Sequence, residues 1–88
     1  MERIEESAND RMRRISWGCR RGMRELDLQL TTFLERRYRY LSDTNQQIFE
    51  DLLAYPDVTL YDYLMGRQVP TNSTFAYVIQ QIQRTFTD

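Results

Sequence analysis

Histidine and lysine are both absent from this sequence of 88 residues, so all twelve basic residues are arginine. Without histidine, the chain lacks the usual general base, the commonest metal ligand and the usual partner of a nucleophilic serine or cysteine. The single cysteine, Cys19, excludes an intramolecular disulfide and a cysteine-based zinc site. We therefore expect no catalytic residues, no metal site and no activity as a stand-alone enzyme.

Long hydrophobic runs are also missing, since no apolar segment approaches the roughly 18 residues that suggest a membrane-spanning helix. The first six residues, MERIEE, are acidic and lack an apolar centre, which argues against a signal peptide and a transit peptide. A lone thiol without disulfides is typical of a reducing compartment. These features predict a cytoplasmic protein that does not insert into a membrane.

Charge is distributed unevenly along the chain. Residues 1–40 carry ten arginines against seven carboxylates, whereas residues 41–88 carry two against six, and the formal net charge is −1. This polarity favours oriented docking on a partner. Nucleic-acid binding usually requires a strongly basic face or a high pI, and the sequence pI is about 5.4. We expect no nucleic-acid partner.

The spacing of apolar residues predicts an all-α fold, in which 1–88 is a single compact bundle of about five short helices and 1–7 is a flexible tail. Caps and breakers predict the ends of the helices. In chain order, the predicted ends are Ser7 or Asn9 to Gly22, Met23 to Tyr38, Ser42 to Pro56, Asp57 to Gly66, and Asn72 or Ser73 to the C-terminal residues. Glu35 and Arg39 would form an i,i+4 ion pair at the end of the second helix.

Apolar residues at helical spacing are expected to form the core. The predicted core residues are Ala8, Met12, Ile15, Cys19, Met23, Leu26, Leu30, Phe33, Leu34, Ile48, Phe49, Leu52, Leu53, Val58, Leu60, Tyr61, Leu64, Met65, Phe75, Val78, Ile79, Ile82 and Phe86.

The densest group of polar residues is segment 20–27, which holds three arginines, two carboxylates and a glycine. Gly22 exposes backbone, so another protein can approach closely there. Arginine forks beside carboxylates suit polar recognition that depends on geometry. Trp17 lies off the apolar face of the first helix, and tryptophan and arginine dominate binding hot spots. The predicted partner-binding residues are Trp17, Arg20, Arg21, Gly22, Met23, Arg24, Glu25 and Asp27.

Two simpler interpretations stay open at this stage. If one helix ran through Gly22, Arg21 and Glu25 would be i,i+4 neighbours that form a weak surface ion pair. Trp17 would be a packing residue if it contacted the fourth or fifth helix.

The segment WGCRRGMRELD, from Trp17 to Asp27, resembles the flavinator (SdhE) family of succinate dehydrogenase assembly factors. The family motif Arg-Gly-x-x-Glu is matched by Arg21, Gly22 and Glu25. The resemblance continues at lower specificity through FEDLL (49–53) and DVTLYDYLMG (57–66), so it covers most of the chain. Tyr61 and Tyr63 depart from it, because relatives often carry Phe and Trp there.

The resemblance implies a five-helix bundle that promotes covalent attachment of FAD to a client protein. The implied client is the flavoprotein subunit of succinate dehydrogenase, and in bacteria also that of fumarate reductase. In those enzymes the flavin is linked to a histidine, which must belong to the client because this chain has none. Arg21 and Glu25 would make polar contacts near the client's flavin pocket, Gly22 would permit close approach, and Trp17 and Met23 would supply apolar contact.

The resemblance also implies an alternative function, since family members are assigned as the antitoxin half of a toxin–antitoxin pair with a membrane-associated partner. The same exposed surface would serve either role. The chain has no dinucleotide-binding fingerprint. We therefore expect that it binds no cofactor tightly and that FAD is the group attached to the client. We also expect the chain to be a monomer.

Overall fold

Five α-helices make up the fold in the computed structural model, which describes residues 7–87. No strand occurs within those residues, so the prediction of an all-α fold with about five helices is confirmed. Of the predicted tail, residues 1–6 lie outside the described part of the chain. The elements are α1 (Ala8–Gly18), α2 (Arg24–Arg36), a short 3-10 helix (Tyr38–Tyr40), α3 (Asp43–Leu52), α4 (Asp57–Leu64) and α5 (Ser73–Thr87).

Local side-chain caps explain where three of the helices begin. Ser7, Ser42 and Asn72 each accept a hydrogen bond from the backbone N–H three residues further along, at 3.1, 3.2 and 3.2 Å. Such caps satisfy N–H groups that have no partner inside the helix. The predicted starts of α1, α3 and α5 are therefore confirmed. The start of α4 differs, because Pro56 is the N-cap and Asp57 is already helical, with its carboxylate used elsewhere.

Three helix ends were predicted too late, since α3 also ends at Leu52, about one turn before the predicted end at Pro56. α1 ends at Gly18, a full turn before Gly22, because the chain then turns into a loop that is held by tertiary hydrogen bonds. α2 ends at Arg36, and the next turn is the 3-10 helix. The predicted ion pair between Glu35 and Arg39 is wrong, since Arg39 lies beyond the end of α2 and the two side chains no longer share a helical face.

The core lies where α5 packs against α2, α3 and α4. Phe49 is its aromatic centre, with ring centroids 5.3 Å from Phe33 and 5.7 Å from Tyr38. Fully buried side chains come from every α-helix or the residue after it: Ile15, Cys19, Leu26, Leu30, Phe33, Phe49, Leu52, Leu60, Val78 and Ile82.

Some predicted core residues lie on the surface. Ala8 and Met12 are exposed, because the first turns of α1 are not covered by another helix among residues 7–87. Val58 is exposed in the first turn of α4, and Phe86 is exposed in the last turn of α5. At these four positions the core prediction was wrong, since helical spacing identifies an apolar face but not whether another element covers it.

Two arginines of helix α1 bind one carboxylate on α3. Within α1 only Ile15 is buried. Arg11 and Arg14 both bind Glu50 on α3, with Arg11 Nε at 3.0 Å and Arg14 Nη2 at 2.9 Å from its carboxylate oxygens. Burial alone would raise the pKa of Glu50, but the hydrogen bonds from the two arginines outweigh burial and lower it. The position of α1 therefore depends on an ionised Glu50.

Candidate functional site

The loop between α1 and α2, residues 19–23, is organised by the side chain of Arg21. Its guanidinium donates to the carbonyl oxygens of Gly18 (3.1 Å), Leu53 (2.6 Å) and Tyr55 (2.6 Å). Its Nε donates to Asp57 Oδ1 at 2.7 Å, and the side chain is only 14% exposed. One arginine thus joins the end of α1, the end of α3 and the start of α4.

Asp27 holds the same loop from the side of α2. Its Oδ1 accepts a hydrogen bond from the backbone N–H of Arg21 at 2.7 Å, and its Oδ2 accepts one from the N–H of Gly22 at 3.3 Å. A carboxylate that accepts consecutive backbone N–H groups fixes the path of the chain there. Asp27 and Arg21 therefore shape the loop together.

Gly22 has a backbone conformation that favours glycine, with φ at +82°. No atom outside its immediate neighbours lies within 4 Å of the position where a Cβ would stand. The residue is exposed, so the space over it faces solvent. The conformation explains why a glycine stands here, and the open space lets another chain approach the backbone.

Two of the predicted residues, Trp17 and Arg20, are exposed beside the junction that Arg21 forms between α1, α3 and α4. Trp17 is 73% exposed, and the guanidinium carbon of Arg20 lies 5.6 Å from the centroid of its indole ring. A cation stacked on an indole in this way limits the freedom of both side chains. The interpretation of Trp17 as a packing residue is therefore wrong.

Arg24 and Glu25 occupy the first turn of α2, and both are exposed. Neither side chain has an ion pair or side-chain hydrogen bond with any other residue between 7 and 87. Glu25 does not pair with Arg21, because the helix is interrupted at Gly22 and Arg21 pairs with Asp57 instead. The first turn of α2 thus presents a carboxylate and a guanidinium that are available to a partner.

Met23 and Cys19 face the bundle from this loop. Met23 is half-buried and packs against the core, which leaves part of its side chain at the surface. Cys19 is fully buried, and burial raises the pKa of its thiol to about 12. A thiol that stays protonated and inaccessible is unreactive.

The sequence-based reasoning missed the groups that Arg21 binds. The carbonyls of Leu53 and Tyr55 and the carboxylate of Asp57 lie 32, 34 and 36 residues further along the chain. The spacing of residues within one helix contains no signal for such contacts. The position of Asp57 after Pro56 suggested that Asp57 caps helix α4. Its carboxylate instead accepts a hydrogen bond from Arg21.

Comparison with known proteins gives a family for this site. A family model described as flavinator of succinate dehydrogenase matches residues 13–86, which include the whole of the site. This chain belongs to that family. The three motif residues differ in exposure. The side chain of Arg21 is turned inward, while Gly22 and Glu25 face solvent.

Curated relatives carry a related name. A protein of Coxiella burnetii named FAD assembly factor SdhE is 44% identical over 72 residues, which cover 82% of this chain and 88% of that protein. Proteins of the same name from Yersinia pseudotuberculosis and a Serratia species are 42% and 40% identical over 74 residues, with 84% of each chain covered. No helix among residues 7–87 is both long enough and apolar enough to cross a bilayer.

Proposed function

We propose that this chain is an assembly factor that binds the flavoprotein subunit of succinate dehydrogenase and promotes covalent attachment of FAD to it. Relatives that are 40–44% identical over most of the chain are named FAD assembly factors, which supports the proposal. The structural observation that carries it is the exposed face formed by Trp17, Gly22 and Glu25. A bacterial fumarate reductase would be a second client of the same kind.

Binding alone is enough for such a helper to act. Covalent attachment requires the flavin ring and the client's histidine to be held in a near-attack geometry. A protein that binds the competent conformation of the client more tightly than its other conformations raises the population of that conformation. The chain needs no catalytic group for this effect, and FAD stays a group that is attached to the client.

The residues of the site divide into two roles in this proposal. Arg21 and Asp27 hold the loop from inside, so their contribution is to keep Gly22 and the first turn of α2 in place. Arg20, Arg24 and Glu25 offer polar contacts, and Trp17 with the exposed part of Met23 offers apolar contact. A rigid loop loses little conformational freedom on binding, which favours affinity.

Reconstituted flavinylation tests the proposal. The purified apo flavoprotein subunit is incubated with FAD, and covalent flavin is measured by fluorescence after a denaturing gel. We expect wild-type protein to increase the band and Glu25→Ala to lose most of that increase. Glu35→Ala is the matched control, because Glu35 is also exposed on α2 and has no side-chain partner among residues 7–87. A band that does not change on addition of wild-type protein would overturn the proposal.

The antitoxin alternative predicts a different partner. None of the three relatives described above is named an antitoxin. Co-purification from native cells distinguishes the two functions, because a large flavoprotein supports the assembly role and a small membrane protein supports the antitoxin role. The cytoplasmic location and the monomeric state stay predictions.

A further inference from the structure

A short apolar surface lies next to the Arg21 junction and has no role in the core. It consists of Ala54, Pro56 and Val58, which we call the 54–58 ledge, and all three residues are exposed. Val58 is the most informative of them, because 69% of a β-branched apolar side chain is left in solvent in the first turn of α4. A patch of exposed apolar residues, unlike a single exposed one, is a candidate for contact with another protein.

The ledge is tied directly to the loop that carries the family motif. The carbonyls of Leu53 and Tyr55, on either side of Ala54, accept hydrogen bonds from Arg21 at 2.6 Å each. Asp57, which immediately precedes Val58, accepts from Arg21 Nε at 2.7 Å. The ledge and loop 19–23 are therefore two sides of one junction.

The same junction is also rigid. The ring of Tyr55 packs against those of Phe75 and Tyr63, with centroids 5.8 and 6.2 Å apart. A Cβ placed on Gly18 would lie 3.1 Å from Cδ1 of Leu53, so the end of α1 touches the end of α3. A surface that is already fixed in the free protein loses little conformational entropy when it is covered.

We propose that the 54–58 ledge is a second part of the partner-binding surface, covered by the same protein that contacts Gly22 and Glu25. The inference rests on the proposed function and extends it to residues outside the family motif. Arg21 joins the ledge to loop 19–23 through its hydrogen bonds to Leu53 and Tyr55, and it neutralises Asp57 between them. The partner segment that fits is apolar where it meets Val58 and carries polar groups where it meets Glu25.

A matched pair of valine substitutions tests the ledge. Val58→Gln is compared with Val69→Gln, because Val69 is 76% exposed but lies in the loop that follows the C-terminal end of α4, whereas Val58 lies in the first turn of that helix. Glutamine is a good helix former, so the substitution at position 58 preserves α4. We expect Val58→Gln to weaken binding to the apo flavoprotein subunit about tenfold, the loss expected for one valine that is no longer buried. Val69→Gln should bind like wild type.

Crosslinking from the same two positions gives a second measurement. Val58→Cys and Val69→Cys are labelled with a thiol-reactive photocrosslinker, and native Cys19 stays unlabelled because it is fully buried. We expect the label at position 58 to capture the flavoprotein subunit and the label at position 69 to give little product. Capture of a second copy of this chain, or equal capture from both positions, would overturn the inference.

The outcomes separate this inference from the proposed function. If Glu25→Ala weakens binding while Val58→Gln does not, the ledge proposal fails and the assembly role stands. If wild-type protein does not bind the flavoprotein subunit at all, the proposed function fails, and the ledge proposal fails with it.

Discussion

Arg21 is the residue on which the geometry of the site depends. It donates to three carbonyls and one carboxylate while only 14% of its side chain is exposed. The planar fork of a guanidinium reaches several acceptors at once, which a lysine ammonium at the end of a flexible stem does not reproduce. The geometry of this junction therefore requires arginine specifically.

We predict that Arg21→Lys lowers the free energy of unfolding by about 2 kcal/mol, since part-buried acceptors would lose their donors. Urea denaturation followed by circular dichroism measures the change. Arg24→Lys is the control, because Arg24 is exposed and has no side-chain partner among residues 7–87, so its effect should stay within about 0.5 kcal/mol. Equal effects of the two substitutions would show that the Arg21 junction contributes nothing to stability.

Substitutions at Gly22 can separate the effect of its backbone conformation on stability from the effect of the open space above it on partner binding. Gly22→Ala should cost about 1 kcal/mol of stability, because alanine is strained at a φ of +82°. Gly22→Asn should cost less, since asparagine tolerates the left-handed region. Both variants add side-chain atoms over the open backbone, so both should weaken binding to the partner. Thermal melts and binding measurements on the same samples separate the two effects, and strong binding by Gly22→Asn would contradict the role of close approach.

At the scale of single residues, the sequence indicated which residues lie at the site, but it did not indicate which groups Arg21 binds. Trp17 was predicted to lie off the apolar face of α1, and its side chain is exposed. Arg21 was predicted to contact a partner, but three of the four groups that its guanidinium binds lie 32 to 36 residues away in the chain. Direct contact between Arg21 and the client stays a prediction. Local spacing does not contain information on such distant pairs.

At the scale of helices, α1 shows the clearest dependence on charge. Arg11 and Arg14 hold it on α3 through Glu50, whose side chain is 10% exposed. The pKa of Glu50 in the folded protein lies below its ordinary value. Its stabilising effect is therefore complete above the unfolded pKa of about 4.3 and is lost as the pH falls through the lower folded value.

We predict that Glu50→Gln destabilises the protein by about 1–2 kcal/mol at pH 7, because two arginines lose a shared charged acceptor. The difference from wild type should shrink as the pH is lowered below the unfolded pKa of about 4.3, since Glu50 then takes up a proton on unfolding, and it should vanish as the pH falls through the lower folded pKa. Denaturation curves at pH 7 and pH 3.5 measure it, with Glu35→Gln as the control for an unpaired carboxylate. A difference that is the same at both pH values would refute this account of α1.

Helix starts were predictable because capping is local. Ser7, Ser42 and Asn72 bind N–H groups within their own first turn, so the residue types alone indicate the start. Helix ends depended on other elements, since α1 stops where Arg21 turns towards α3 and α4. The predicted core failed at Met12 for a related reason, because no helix in the described part of the chain, residues 7–87, covers that face.

At the scale of the whole molecule, the groups that we propose to face a partner lie around one junction. The ends of α1 and α3 and the starts of α2 and α4 meet at Arg21, and the exposed residues Trp17, Glu25 and Val58 lie around this junction. The all-α bundle positions them, and α5 supplies the core beneath α2, α3 and α4. This arrangement of elements explains how a small domain can present a rigid docking surface.

The most direct test of the central claim is the dissociation constant for the apo flavoprotein subunit of succinate dehydrogenase, measured by titration calorimetry with Glu25→Ala and with Glu35→Ala. The two glutamates lie about 15 Å apart along α2, so they sample different parts of one helix. We predict that Glu25→Ala weakens binding at least about tenfold, the loss expected for a charged contact at an interface, while Glu35→Ala binds like wild type. Equal affinities for Glu25→Ala and wild type would contradict the claim that this face holds the partner.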